Sequence, residues 1–303
     1  MSRGSQLRGL RGILLLSAVL LVLASCSSST SSPAREGAGA SSSESTPAHE
    51  VRDGSAPGSK LVVFAASSLL EPFQEIGQEF QRQTGTTVEF NFAGSAQLVA
   101  QLQQGALADV IALADLQNMH KAQDLGLVRG APVLFARNRL VIVVPKENPA
   151  GIEQVADLAR PGVKVVLAHE NVPVGKYARE MLARASQQPG YGADFSERVL
   201  GNVVSQEVNV KQVLAKVALG EADAGIVYAT DVKAAASEVR TVTIPDELNV
   251  VACYPIAIGA GSRVPEQAAR FVDFVRSEAG RAVLERSGFL PVASGQDGTE
   301  GCS

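Results

Sequence analysis

The chain contains no tryptophan, and only three histidines, three cysteines and four tyrosines. Each scarcity removes a class of function. A serine nucleophile needs a base beside it, and the only histidines are His49, His120 and His169. His169 alone lies near a candidate site, and it reads as a local structural or surface residue. The G-x-S-x-G elbow of the α/β-hydrolases is also missing, so a hydrolase using Ser68 or Ser95 is disfavoured. Iron binders gather tyrosine, histidine and carboxylates, and tyrosine is too sparse for that here. No basic excess exists either: the formal net charge is −4, which argues against a nucleic-acid partner. Aromatic residues make up 5% of a chain that is 46% hydrophobic, a composition suited to an α/β globular body. After the N-terminal segment no second long apolar run appears, so the body is not expected to span a membrane.

What is present begins with a secretory pattern. Arg3, Arg8 and Arg11 precede an uncharged apolar run from Gly12 to Ala24, and Ser25-Cys26 follow. A basic start, a short apolar core and a small-residue exit describe a signal peptide, here residues 1–25. Leu23-Ala24-Ser25-Cys26 resembles a bacterial lipobox, which makes Cys26 the expected lipidated first residue of the mature chain; an ordinary cleaved signal or an uncleaved anchor is the alternative. Residues 26–59 are dominated by Ser, Ala, Gly and Pro without apolar periodicity. Such a segment buries too little to offset its ordering entropy and is expected to be a tether. An oxidising compartment permits Cys253 and Cys302 to pair; a buried thiol and a separate exposed one is the alternative.

From Lys60 the pattern alternates strand and helix. Leu61–Ala66 is a β-rich run, and Leu69, Leu70, Phe73, Ile76 and Phe80 then share one helical face. A strand over 86–92, a helix with Leu98, Val99 and Leu102 on one face, and a short strand over 109–114 continue the alternation, the signature of an open α/β sheet. After an expected turn at Ala131-Pro132 come strands at 139–144, 164–168, 203–208, 224–228 and 250–258. Helices are expected over 176–185, 210–219, 265–280 and 281–287. Two similar blocks joined near 135–144 and 250–258 predict two lobes with two crossings.

Three turns share one construction: a strand ends in small residues and a helix begins at once. They are Phe64-Ala65-Ala66-Ser67-Ser68, Phe92-Ala93-Gly94-Ser95 and Val172-Pro173-Val174-Gly175. A helix start offers unpaired N–H groups and the positive end of the macrodipole, and serine adds a hydroxyl donor. Singly, each serine reads first as a plain N-cap. Together, and with Tyr228 at a strand end, they predict an anion site off the carboxyl ends of the strands. The first two turns carry no Lys or Arg, so neutral dipoles would do the binding. Asp109, Asp115 and Asp231 flank strands and read as caps or hinge contacts, with a cation role as the alternative, and Lys176 and Lys211 read as solvated helix residues, with anion steering as the alternative.

The segments VVFAASSLLEPF, FNFAGSAQLVAQLQQGALADVIALAD, NVPVGKYARE, VNVKQVLAKVALGEADAGIVYATD and YPIAI, in this order from Leu61 to Val292, resemble the periplasmic molybdate-binding proteins of molybdate ABC transporters. The resemblance implies an α/β, periplasmic-binding-protein-like fold of two lobes, each a mixed sheet flanked by helices, around a cleft with two hinge crossings. It implies lobe I at 60–136 plus 251–291, lobe II at 137–250 and a C-terminal tail at 292–303. By motif it assigns oxyanion contacts to the Ser68 and Ser95 hydroxyls, the Val174 and Val210 backbone amides and the Tyr228 phenol. Ser67 stands where relatives have alanine and either competes with Ser68 or points away. The implied ligand is molybdate, with tungstate, held by these residues alone and without a cofactor. The implied partner is an ABC permease, and the protein is expected as a monomer, lipid-anchored through Cys26 on the outer face of the cytoplasmic membrane. A sulfate- or phosphate-type oxyanion binder of the same fold is the alternative, and a passive surface lipoprotein a more distant one.

Overall fold

The computed structural model describes residues 60–292 and residue 302; the expected signal peptide, Cys26, the tether over 26–59 and residues 293–301 and 303 of the tail lie outside them. Strand β1 (Lys60–Ala66) is flanked by parallel partners β2 (Thr87–Ala93) and β3 (Val110–Ala112). Between them run α1 (Leu70–Thr84), entered through a 3-10 turn at Ser67–Leu69, and α2 (Ser95–Gln103). Leu69, Phe73, Ile76 and Phe80 are buried, as their helical spacing predicts, and Leu70 is half-buried. Then α3 (Leu116–Asp124) leads into β4 (Val128–Pro145).

Strand β4 joins the two halves. Its first part pairs antiparallel with β9 (Val251–Gly259), ending at Arg139↔Val251. Its second part pairs with β7 (Ala224–Tyr228) from Leu140↔Tyr228, and with β8 (Val239–Val242). The second half also holds β5 (Val165–Ala168), parallel to β6 (Val203–Glu207) and to β7. Around these strands lie α4 (Pro173–Ser186), α5 (Phe195–Gly201), α6 (Val210–Ala218) and α7 (Ala229–Ala234). The order is β2-β1-β3-β9-β4-β7-β5-β6, with β8 on β4. This is the expected α/β architecture of two lobes, each a mixed sheet flanked by helices.

Asn249 fastens the second crossing to the first: its side chain accepts from the Leu140 N–H at 3.0 Å and donates to the Leu140 carbonyl at 2.9 Å. The final helices α8 (Pro265–Arg276) and α9 (Glu278–Arg286) return to the first half. Phe271 meets Phe80 edge-on at 5.2 Å and Phe73 at 6.2 Å, and Arg286 pairs with Glu75. A disulfide joins Cys253 of β9 to Cys302, with Cα atoms 5.6 Å apart.

Four local expectations need correction. Ala131-Pro132 is not a turn but part of an 18-residue strand. The register shifts between Arg129 and Val133, so Pro132 falls in a bulge, where its missing N–H breaks no ladder bond. Helix α4 starts at Pro173 instead of Lys176, because proline is suited to a first helical turn. The break between α8 and α9 comes at Ser277, whose hydroxyl caps α9 by accepting from the Gly280 N–H, rather than after Gly280. Strand β8 and helices α5 and α7 are short and were not foreseen.

Candidate functional site

The three strand-to-helix turns converge. Ser67, Ser68, Gly94 and Ser95 from the first lobe and Val172, Val174, Val210 and Tyr228 from the second line one recess of about 200 Å³, open mouth included. All five residues assigned by resemblance are therefore brought together. Ser67 reaches the same wall and is buried. No charged side chain lines the recess among the described residues.

Each contribution follows from local structure. Ser68 sits in the 3-10 turn after β1. Ser95 is the first residue of α2, behind the Gly94 N-cap. Its Oγ accepts from the Ala114 N–H at 3.0 Å, tying the helix start to the end of β3. Val174 lies in the first turn of α4, after Pro173, and Val210 opens α6 behind Asn209, whose side chain accepts from the Gln212 N–H. First-turn N–H groups have no acceptor within their own helix, so both amides are available donors. Gly175 lets α4 approach closely: a Cβ there would collide with the carbonyls of Ala168 and His169 in the same lobe.

Tyr228, at the end of β7, is buried, and its hydroxyl has no partner in hydrogen-bonding geometry. A buried, partnerless hydroxyl costs on the order of 1–3 kcal/mol, so one aimed into a recess is a strong pointer to a ligand. Burial, followed by the neighbouring Tyr254, drives its pKa well above the usual phenol value, so it stays a neutral donor. The recess thus presents hydroxyls and amides without charge, a set that matches an anion of tetrahedral oxygens better than a cation.

One functional residue was missed. Tyr254 of β9 is buried, and its hydroxyl lies 2.9 Å from Ser68 Oγ. Asn138 Nδ2 donates to Thr230 Oγ1 at 2.8 Å and, more weakly, to Tyr254 Oη at 3.4 Å, while Asn138 Oδ1 accepts from the Arg139 N–H. An amide nitrogen can only donate, so Tyr254 accepts from it, and between Tyr254 and Ser68 either hydroxyl can donate. With Tyr254 as the donor, the Ser68 proton is free to face the recess. A buried tyrosine generally needs a partner, and the YPIAI segment was the available signal.

The charged residues of the neighbouring elements are engaged elsewhere than in the recess. Lys211 is not merely solvated: its Nζ pairs with Glu71 of α1 at 2.7 Å across the cleft and with Asp231 at 3.4 Å. Lys176 Nζ donates to Gln117 Oε1 at 2.9 Å, also across it. Asp231 caps the start of α7 by accepting from the Tyr228 N–H, Asp115 caps α3, and Asp109 accepts from Val62 N–H and the Ser262 hydroxyl. Burial raises the Asp115 carboxyl, against its bonds from Asn118. His169 is exposed, with its Nδ1 accepting from the Asn171 N–H, and does not line the recess. No group of metal-ligating side chains occurs among the described residues, nor does any helix long and apolar enough to cross a membrane.

Comparison with known proteins gives a family model, "Bacterial extracellular solute-binding protein", matching residues 61–290. The molybdate-binding protein ModA of Mycobacterium tuberculosis is 41% identical over 230 residues, covering 76% of this chain and 84% of that protein. Among solved structures, the periplasmic molybdate-binding protein of Azotobacter vinelandii aligns with a TM-score of 0.66 at 20% identity, over 76% of this chain and 98% of its own. The sulfate-binding protein SubI of M. tuberculosis aligns with a TM-score of 0.71 at 20% identity, over 78% of this chain and 88% of its own. The last two establish a shared fold only.

Proposed function

The chain belongs to the bacterial extracellular solute-binding proteins, and on that premise we propose that it captures molybdate, and tungstate with it, for an ABC importer. The observation that carries this reading is the uncharged recess between the lobes, closed on one side by the partnerless Tyr228 hydroxyl. Ser68 and Ser95 contact the dianion from lobe I, and the Val174 and Val210 amides and the Tyr228 phenol from lobe II. The lobes divide as 60–136 plus 251–291 and 137–250; the hand-over of β4 between sheets at Arg139 and Leu140 supports that division. The 41% identical relative's name favours molybdate over the sulfate of the more distant neighbour.

Because donors come from both lobes, only the closed arrangement pairs every oxygen, and ligand stabilises closure by its differential affinity. Selection follows from size: donors set for long metal–oxygen bonds would leave some unpaired around sulfate, at about 1–3 kcal/mol each. The closed form is what a permease would read. The protein binds and releases rather than catalyses, as a monomer lipidated at Cys26 on the outer face of the cytoplasmic membrane, with residues 26–59 as tether. Isothermal titration with sodium molybdate, tungstate and sulfate tests the ligand. Tight binding of the first two with weak or absent sulfate binding is expected, and equal affinity for sulfate overturns the molybdate assignment. Radiolabelled palmitate incorporation that disappears in Cys26→Ala tests the anchor.

A further inference from the structure

We infer that Gly94 is the residue that permits closure: its missing side chain is a requirement of the opposite lobe, not of its own fold. Two observations separate these roles. Gly94 has φ −64° and ψ 142°, ordinary extended backbone that alanine adopts without strain. A Cβ placed on it would lie 2.5 Å from the Val208 carbonyl oxygen, 3.7 Å from the Val208 carbonyl carbon and 3.9 Å from Asn209 Cβ. All three atoms belong to lobe II. Chain neighbours apart, no atom of lobe I comes closer to that position than 3.9 Å. Gly175 is the contrast, since its obstructing carbonyls are in its own lobe and serve helix–strand packing.

The obstacle at Gly94 is a backbone oxygen, which cannot rotate aside as a side chain would. Val208 follows β6 and precedes Asn209, the N-cap of α6, so any displacement of Val208 moves the Val210 amide away from the recess. One methyl at position 94 therefore wedges the lobes apart and withdraws a donor together. It also lengthens the cross-cleft Lys211–Glu71 and Lys176–Gln117 contacts, which close only when the lobes meet. Gly94 thus positions the lobes, and sets affinity, through the close approach of Val208. The inference rests on the closure half of the capture reading and not on which oxyanion is captured.

The test compares wild type with Gly94→Ala by zero-length carbodiimide cross-linking and mass spectrometry, with and without sodium molybdate. The Lys211–Glu71 isopeptide reports the closed cleft. The Lys216–Glu207 pair, 3.0 Å apart within lobe II, is the internal control. Expected is a loss of about tenfold or more in the Lys211–Glu71 product, an unchanged control product, an unchanged ligand-free melting temperature and molybdate affinity at least about tenfold weaker. Equal cross-linking in the two proteins overturns the inference, and so does a Gly94→Ala chain that fails to fold, since glycine would then serve lobe I itself. If molybdate leaves wild-type cross-linking and heat of titration unchanged while Gly94→Ala still loses the Lys211–Glu71 product, the ligand assignment fails and the closure role stands.

Discussion

Ser68 Oγ and Tyr254 Oη lie 2.9 Å apart although 186 positions separate them in the chain. The contact links the first turn of lobe I to β9, and through Asn138 and Thr230 to the start of α7 in lobe II. With Tyr254 donating to Ser68, the serine proton faces the recess. Tyr254→Phe removes that direction while keeping the ring. Molybdate affinity is expected to fall by about two- to tenfold, the worth of one net hydrogen bond. In a Ser68→Ala background the same change should have no further effect on affinity, because the two act through one hydroxyl. Titration of the four proteins checks this; additive losses contradict it.

Tyr228→Phe should move affinity and stability in opposite directions. The hydroxyl is buried without a partner, so deleting it leaves the ligand-free protein as stable or more so. A hydrogen bond to a charged group is worth about 1.5–3 kcal/mol, which predicts molybdate binding weaker by roughly ten- to a hundredfold. Calorimetry and thermal melting on the same preparation read both signs.

Asp231 carries a pH signature. Burial pushes its carboxyl up to about 6, against the opposing pull of Lys211, with Glu71 adding to the rise. The native state then holds a proton more firmly than the unfolded chain, whose value is 3.8. Stability from this group is present at low pH and lost as pH rises through about 6. The melting temperature of wild type minus that of Asp231→Asn should increase between pH 7 and pH 5. A difference that is flat or decreases there contradicts the raised pKa.

The Cys253–Cys302 disulfide closes a loop with a sequence separation of 49. Chain-entropy reasoning assigns such a cross-link about 4 kcal/mol, acting mainly on the unfolded state. Cys302→Ser should therefore lower the melting temperature by roughly 5–15 °C. Because Cys302 does not line the recess, molybdate affinity should change little. Thermal melting and titration of the variant decide both parts.

Much of this site could be read in the sequence where side chains carry the signal. Ser68 and Ser95 stand out because a strand, small residues and a helix follow one another within a few positions. Val210 does not, since its contribution is a backbone amide behind an ordinary Asn cap; only the family resemblance reached it. The partners of Tyr254 and Gly94 were not legible for a different reason: Ser68 and Val208 lie on elements far off in the chain, and no local pattern encodes those meetings. Strand β4 runs through the expected turn at Ala131-Pro132, where Pro132 mimics turn chemistry inside a bulge. Lys211 looked solvated because its acidic partners come from α1 and α7 rather than its own helix.

The most direct measurement is a crystal structure of the protein grown with molybdate, with the metal located by anomalous scattering. Molybdenum is expected between the lobes, its oxygens accepting from the hydroxyls of Ser68, Ser95 and Tyr228 and the N–H groups of Val174 and Val210, with no lysine or arginine in contact. Molybdenum outside the cleft, or held there by cationic side chains, would contradict that expectation.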